Sequence, residues 1–322
     1  MIELQLSVAD LANTRFALSP LWEVVASIRV LKAPGEHLLH RRWVGRAAQR
    51  LRGADLRQLF DLVPVPTASL PAFLAPPPAT STPDFGTELA AVRALDTGLI
   101  RDGLEALPPT PAVERFREDV PAGLERLATA IETYWEAALA PWWPRIRTLC
   151  ESDLLYRSRV LAEGGARRLF ADLDPRVSWD AGGTLRIENP LFDRTEPLGG
   201  RGLLLVPSVF GGERIFSVSA EPWQPTVRYS PRGLGLLWRA PDREAEAGLV
   251  GVVGPTRAAL LTALSEPATT TELATRCRLS AGGVSQQLRL LLRAGLVTRH
   301  RIGRRVLYAR TLAAESLLEA GE

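Results

Sequence analysis

Cysteine is almost missing from this chain: Cys150 and Cys277 are the only two, and they fall in different expected domains. A disulfide framework is therefore not expected, and a reduced, cytoplasmic setting fits better. Lysine is scarcer still. Lys32 stands alone, so arginine supplies nearly all the basic charge. With abundant alanine and a single methionine, that bias points to a GC-rich coding sequence and says nothing about mechanism. No apolar run approaches the ~18–20 residues that a membrane span needs, so no membrane is expected. The start, Met1-Ile-Glu-Leu-Gln-Leu, has no positive segment before an apolar core, so no secretion signal is expected. Catalytic signatures are missing too: G-x-S-x-G, H-E-x-x-H and G-x-x-x-x-G-K-S/T do not occur. Gly199-Gly200-Arg201-Gly202 precedes an expected strand, whereas a nucleotide-binding loop follows one. Neither an enzyme nor a cofactor site is expected.

What is present is an ordinary globular composition. Of 322 residues, 46% are hydrophobic and 23% charged, and the length suits two or three domains. The formal net charge of +3 is unevenly spread. From Gly254 onward there are ten arginines against five glutamates, a net +5, which leaves about −2 on the rest. A basic end on a mildly acidic body suits contact with a polyanion, and equally a solvated basic face.

The expected class is α+β in three stretches. Residues 1–173 read as mostly helical. "SPLWEVVASIRVL" carries Leu21, Val24, Val25 and Ile28 on one face behind a Ser-Pro start. "EHLLHRRWVGRAAQRL" and "ADLRQLFDLV" read as further helices, the second stopping before Pro64. The Pro-rich run that follows cannot sustain a helix, and periodicity returns in "ELAAVRALDTGLIRDGLEAL", continuing to about Leu173. Residues 174–248 read as a small, mostly antiparallel sheet of about four to six strands. Two of them flank Ala181-Gly182-Gly183, and "RGLLLVPSVF", "RIFSVSA", "PTVRYSP" and "LGLLWRA" follow. This sheet and the helical part are expected to pack as one sensing or dimerisation domain. "PDREAEAG", charged and poor in large apolar residues, marks a boundary before residues 249–322, which turn helical again.

"TRAALLTALSEP" reads as a helix ending before Pro267, and "TTTELATRCRL" as a short one with Thr269 and Glu272 as its capping box. Ser280 is the N-cap of "AGGVSQQLRLLLR", whose Val284, Leu288, Leu291 and Leu292 form the expected buried stripe. Ser285, Gln286 and Arg289 face the other way, and Gly295 stops the helix. "VTRHRIGRRVLYAR" follows as a hairpin turning at Ile302-Gly303, and "TLAAESLLEA" as a short helix. In this order "TELATRCRLS", "VSQQLRLLLRAGLV" and "RIGRRVLYAR" resemble the ArsR-type winged helix-turn-helix regulators of bacteria, over roughly residues 254–310. The wing matches at Arg301, Gly303, Arg304, Val306 and Tyr308.

The resemblance implies a transcriptional regulator: a homodimer on an inverted repeat in double-stranded DNA, usually a repressor. Response to a small-molecule effector stays open. The second helix would present its N-terminal end to the major groove, with Ser280 among the DNA-binding residues and Gly282 and Gly283 letting the backbone come close. The glycines have another reading, tight packing on the preceding helix. Ser285, Gln286 and Arg289 would read base edges, and Gln287, half-buried, is a weaker candidate. Arg299, Arg301, Arg304 and Arg305 of the wing would hold phosphates or a narrow minor groove. Metal sensing is not expected: where the family's sensors carry a cysteine pair this chain has "EPATTTELA", and Cys277 reads as core. An enzyme with a DNA-targeting tail, or a winged domain that contacts only protein, are the alternatives.

The first 250 or so residues lie outside the resemblance. All eight tryptophans precede residue 240 and read either as core or as the lining of an apolar ligand pocket. The prolines of "PWWP", residues 141–144, set a helix start or kink. His37 and His40 would share a helix face, but a metal would need a third ligand, and nothing marks Glu36 or Asp55 as one. A solvated helix face is expected there.

Overall fold

The chain divides into two compact units, Met1–Trp238 and Arg239–Glu322. The computed structural model describes residues 1–67, 70–180, 182–212, 214–238, 250–264, 267–277, 279–302 and 305–320.

The first unit opens with a strand where helix was expected. β1 (Ile2–Gln5) lies between β4 (Thr184–Ile187), antiparallel to it, and β5 (Arg194–Pro197), parallel to it. β3 (Val177–Trp179) completes this sheet in the order β3-β4-β1-β5. β2 (Arg15–Phe16) begins a second sheet, β2-β6-β8-β7. Here β6 (Leu204–Pro207) runs parallel to both β2 and β8 (Thr226–Tyr229), and β7 (Phe216–Val218) is antiparallel to β8. The expected single, mostly antiparallel sheet is therefore two mixed ones. Of "LGLLWRA", residues 239 and 240 lie outside the described residues, and the described part forms no strand: Gly233 takes a left-handed φ of 74° and turns the chain into a 3-10 turn at Leu234–Leu236.

The helices owe their starts to local chemistry. After α1 (Val8–Ala12), Ser19 Oγ accepts from Trp22 N–H and Pro20 opens α2 (Pro20–Lys32). α3 spans only Arg41–Arg50, because Pro34–Glu36 and Leu38–His40 form 3-10 turns where the helix was expected to run. α4 (Arg57–Asp61) precedes the Pro-rich stretch. Asp84, Asp96, Thr110 and Asp119 then cap α5 (Phe85–Arg93), α6 (Thr97–Glu105), α7 (Pro111–Glu118) and α8 (Val120–Tyr134). α9 (Trp143–Ala171) carries Pro144 in its first turn and is broken at Gly165, φ 62°. α2, buried from Pro20 to Val30, runs through a core that includes Trp43, Phe73, Phe116 and Tyr134. Trp22, Trp43, Trp135 and Trp238 are buried, which favours the core reading for these tryptophans.

The second unit orders α10 (Pro255–Ala263), α11 (Thr270–Cys277), α12 (Ala281–Arg293), β9 (Val297–Ile302), β10 (Arg305–Arg310) and α13 (Leu312–Ala320). β9 and β10 pair antiparallel with Ile302 opposite Arg305. Ala268 bridges to Tyr308 of β10 through two backbone hydrogen bonds of 3.0 and 2.9 Å, which ties the hairpin to the start of α11. Leu260, Leu261, Leu273, Val284, Leu288, Leu291 and Val297 fill its own core. The class is α+β.

Candidate nucleic-acid interface

The turn between α11 and α12 is built from short-range bonds. Thr269 Oγ1 accepts from Glu272 N–H at 3.3 Å while the Glu272 carboxylate accepts from Thr269 N–H at 2.8 Å, the expected capping box. Leu279 N–H reaches back to Ala274 O at 2.9 Å. Ser280 Oγ accepts from Gly283 N–H at 3.1 Å and caps α12. At the far end Gly295 adopts φ 69°. There Leu296 N–H meets Leu291 O at 2.9 Å and Gly295 N–H meets Leu292 O at 3.1 Å, the paired bonds of a Schellman stop.

The stripe that seats α12 is narrower than expected. Val284, Leu288 and Leu291 are buried, but Leu292 is 37% exposed. On the other side Gln286 and Arg289 are exposed and Ser285 is half-buried. Arg289 Nε donates to Ser285 O at 3.3 Å, which lays the guanidinium along its own helix. Gln287 is half-buried, and its Oε1 accepts from Arg257 Nη1 of α10 at 3.4 Å. It is held toward the scaffold. Arg257 carries no local sequence signal, since its partner lies on another helix.

The two glycines differ. Among the described residues a Cβ at Gly282 would meet nothing within 4 Å, and one at Gly283 would meet only Ser280 Oγ, at 3.1 Å. Neither packs against α11, so the tight-packing reading has no support at either position. The expected Ser280 cap decides which first-turn N–H groups stay free. Gly283 N–H is taken by Ser280, which leaves Ala281 and Gly282 N–H as the first-turn donors without a protein partner among the described residues.

In the wing, Arg299 is exposed on β9. The side chains of Arg301 and Arg305, and all of Gly303 and Arg304, lie outside the described residues. The register sets positions 299 and 301 on the ribbon face that carries Val297 and Tyr308, and position 305 on the opposite face.

Among the described residues no three His, Cys, Asp or Glu come together as a group that could hold a metal ion. Cys277 is half-buried against this unit's core, with Sγ 3.7 Å from Ala259 O, and burial pushes its thiol up. The solvated-face expectation for His40 is overturned. His40 is buried, its Nδ1 accepts from Trp238 Nε1 at 2.9 Å, and its ring lies tilted by 36° against Phe210 with centroids 4.9 Å apart. Burial first, and neighbouring His37 second, push it down to about 4.

Residues 254–300, spanning α10, α11, α12 and the first part of β9, match the family model of a helix-turn-helix domain. No curated protein and no solved structure matches the chain. No helix among the described residues is long and apolar enough to cross a membrane.

Proposed function

We propose that this chain is a sequence-specific transcriptional regulator of the ArsR type and not an enzyme. The observation that supports it best is α12. It lies inside the helix-turn-helix match, it is capped at both ends, and the space beside Gly282 in its first turn is empty. In such domains that end of the second helix enters the major groove. Gln286 then suits adenine and Arg289 guanine, each pair discriminating by ~1–3 kcal/mol. Arg299, Arg301, Arg304 and Arg305 hold backbone phosphates. The protein acts as a homodimer on an inverted repeat, with half-site centres ~34–36 Å apart. It represses, and a small molecule bound by the first unit relieves repression.

The test is fluorescence anisotropy with duplex DNA from upstream of the protein's own gene and a scrambled control. Wild type is expected to prefer its own upstream DNA, and Arg289→Ala to lose that preference. Wild type that binds neither duplex at low salt overturns the reading.

A further inference from the structure

The first unit carries a basic surface that the winged domain does not account for. Between Glu36 and Asp55 the sequence holds no acidic residue and five arginines: Arg41, Arg42, Arg46, Arg50 and Arg52. All five are exposed, and the first four lie on α3. Among the described residues none of Arg41, Arg42, Arg46 and Arg50 forms an ion pair with a carboxylate. Arg42, Arg46 and Arg50 recur every four residues and so form one ridge of the helix. Like charges at this spacing cost a helix roughly 0.2–0.5 kcal/mol per pair. Arg41 and Arg42 also oppose the positive end of the helix dipole.

The ridge walls an open groove of about 700 Å³, lined by Arg46, Gln49, Arg50, Pro141, Trp142 and Arg145. Its walls are braced. Arg46 Cζ sits 5.3 Å from the Trp142 ring centroid, and Trp142 stands edge-on to Trp238 at 5.4 Å. Trp238 is fixed in turn by buried His40 and by Arg42, whose Nη1 donates to the Trp238 carbonyl at 3.2 Å. A guanidinium stacked on an indole is pre-organised, so it loses less freedom when it grips an anion. Three guanidiniums and one amide, with no carboxylate in the lining, form a donor set for phosphate oxygens.

We propose that this groove, between α3 and the start of α9, is a second DNA-contact surface that binds the phosphate backbone of duplex DNA. The proposal rests on the DNA-binding reading for its ligand. A repeating polyanion fits better than a single phosphorylated small molecule, for two reasons. The ridge continues past the groove to Arg42, with Arg41 and Arg52 beyond its lining. Its arginines recur about 6 Å apart along the helix axis, close to the rise of two nucleotides on one strand, at ~3.4 Å each. Backbone contacts of this kind position a duplex without reading its sequence.

The experiment compares full-length wild type with R46Q/R50Q/R145Q and with R46K/R50K by anisotropy on one long duplex across a salt series. Thermal unfolding checks that each protein is folded. Each lost phosphate contact lowers the slope of log K against log salt by about 0.9. The glutamine variant, three arginines short, is expected to lower that slope by up to about 2.7 and to weaken binding about tenfold or more at moderate salt. The lysine variant keeps charge and should stay near wild type. A folded glutamine variant with an unchanged slope overturns the proposal while leaving the recognition helix in place. If inorganic pyrophosphate stabilises wild type but not the glutamine variant, and the slope is unchanged, the groove holds a free phosphorylated ligand instead. Wild type that binds no DNA overturns both readings.

Discussion

Gly282 weakens α12, and nothing found inside the protein asks for it. Among the described residues it has no neighbour within 4 Å of its missing Cβ, so alanine fits there without strain. Gly282→Ala should therefore stabilise the second unit, by at most ~1 kcal/mol and by less this near the helix start. If the first turn lies against a phosphate, the added methyl should also cost about tenfold or more in DNA affinity. Thermal unfolding and anisotropy on the same variant separate the two effects; stabilisation with unchanged affinity would remove the close-approach role. Gly283 is the poorer probe, because its methyl would press on the Ser280 hydroxyl that caps the helix. His40 gives a residue-scale prediction in the first unit. Its Nδ1 accepts from Trp238, which requires the neutral ring, and its folded value of about 4 lies below the ordinary 6.5. The unfolded chain thus binds the proton more readily. His40 contributes stability fully present above about 6.5 and lost as pH falls toward 4, about 3 kcal/mol across that window. Glu23 and Glu88 have the opposite sign: burial raises both from 4.5 to about 7, so they favour the fold at low pH and lose that contribution as pH rises. The readout is accordingly the pH difference between wild type and His40→Gln in urea unfolding. Equal pH profiles would contradict the assignment.

At the scale of elements, caps matter because, under the proposed function, a rigid α12 presents Gln286 and Arg289. Ser280 satisfies one of the orphan N–H groups of its first turn. Ser280→Ala should cost the second unit about 1 kcal/mol, seen as a lower midpoint for its unfolding. Asparagine or aspartate there should restore most of it, whereas a loss restored by neither would mean the hydroxyl does something other than cap. These ends were legible in the sequence because their chemistry is local. The Thr269–Glu272 box, the Ser19 and Ser280 caps and the Gly295 stop each need only a few neighbouring residues. What could not be read depends on distant partners. Ile2–Gln5 is a strand only because residues 184–187 and 194–197 flank it. Gln287 was a weaker candidate on the sequence, and only its contact with Arg257 of α10 shows what holds it; Leu292 matched the helical period yet lies beyond the edge of the buried stripe. The arginine ridge of α3 was visible as letters, but the groove beside it needed α9 to fold across.

For the whole molecule the proposed symmetry sets the geometry of binding. One α12 covers one half-site, so a monomer would gain nothing from an inverted repeat. A preformed dimer makes the second half-site contact intramolecular, which raises affinity by about 10²–10⁴ over a lone half-site without any new kind of contact. Inserting five base pairs between half-sites rotates one of them by about half a helical turn, since a turn is ~10–10.5 base pairs. The second recognition helix then faces the wrong side, and affinity should fall to the half-site level. Sedimentation should count two chains on the intact repeat. Chains that bind a half-site as tightly as the intact repeat, or that ignore the insertion, would show that each acts alone. In that case the backbone contacts proposed for α3 would have to supply the affinity that dimerisation does not. The salt slope would then be the more sensitive of the two readouts, because a chain acting alone has no second recognition helix to compensate for lost arginines.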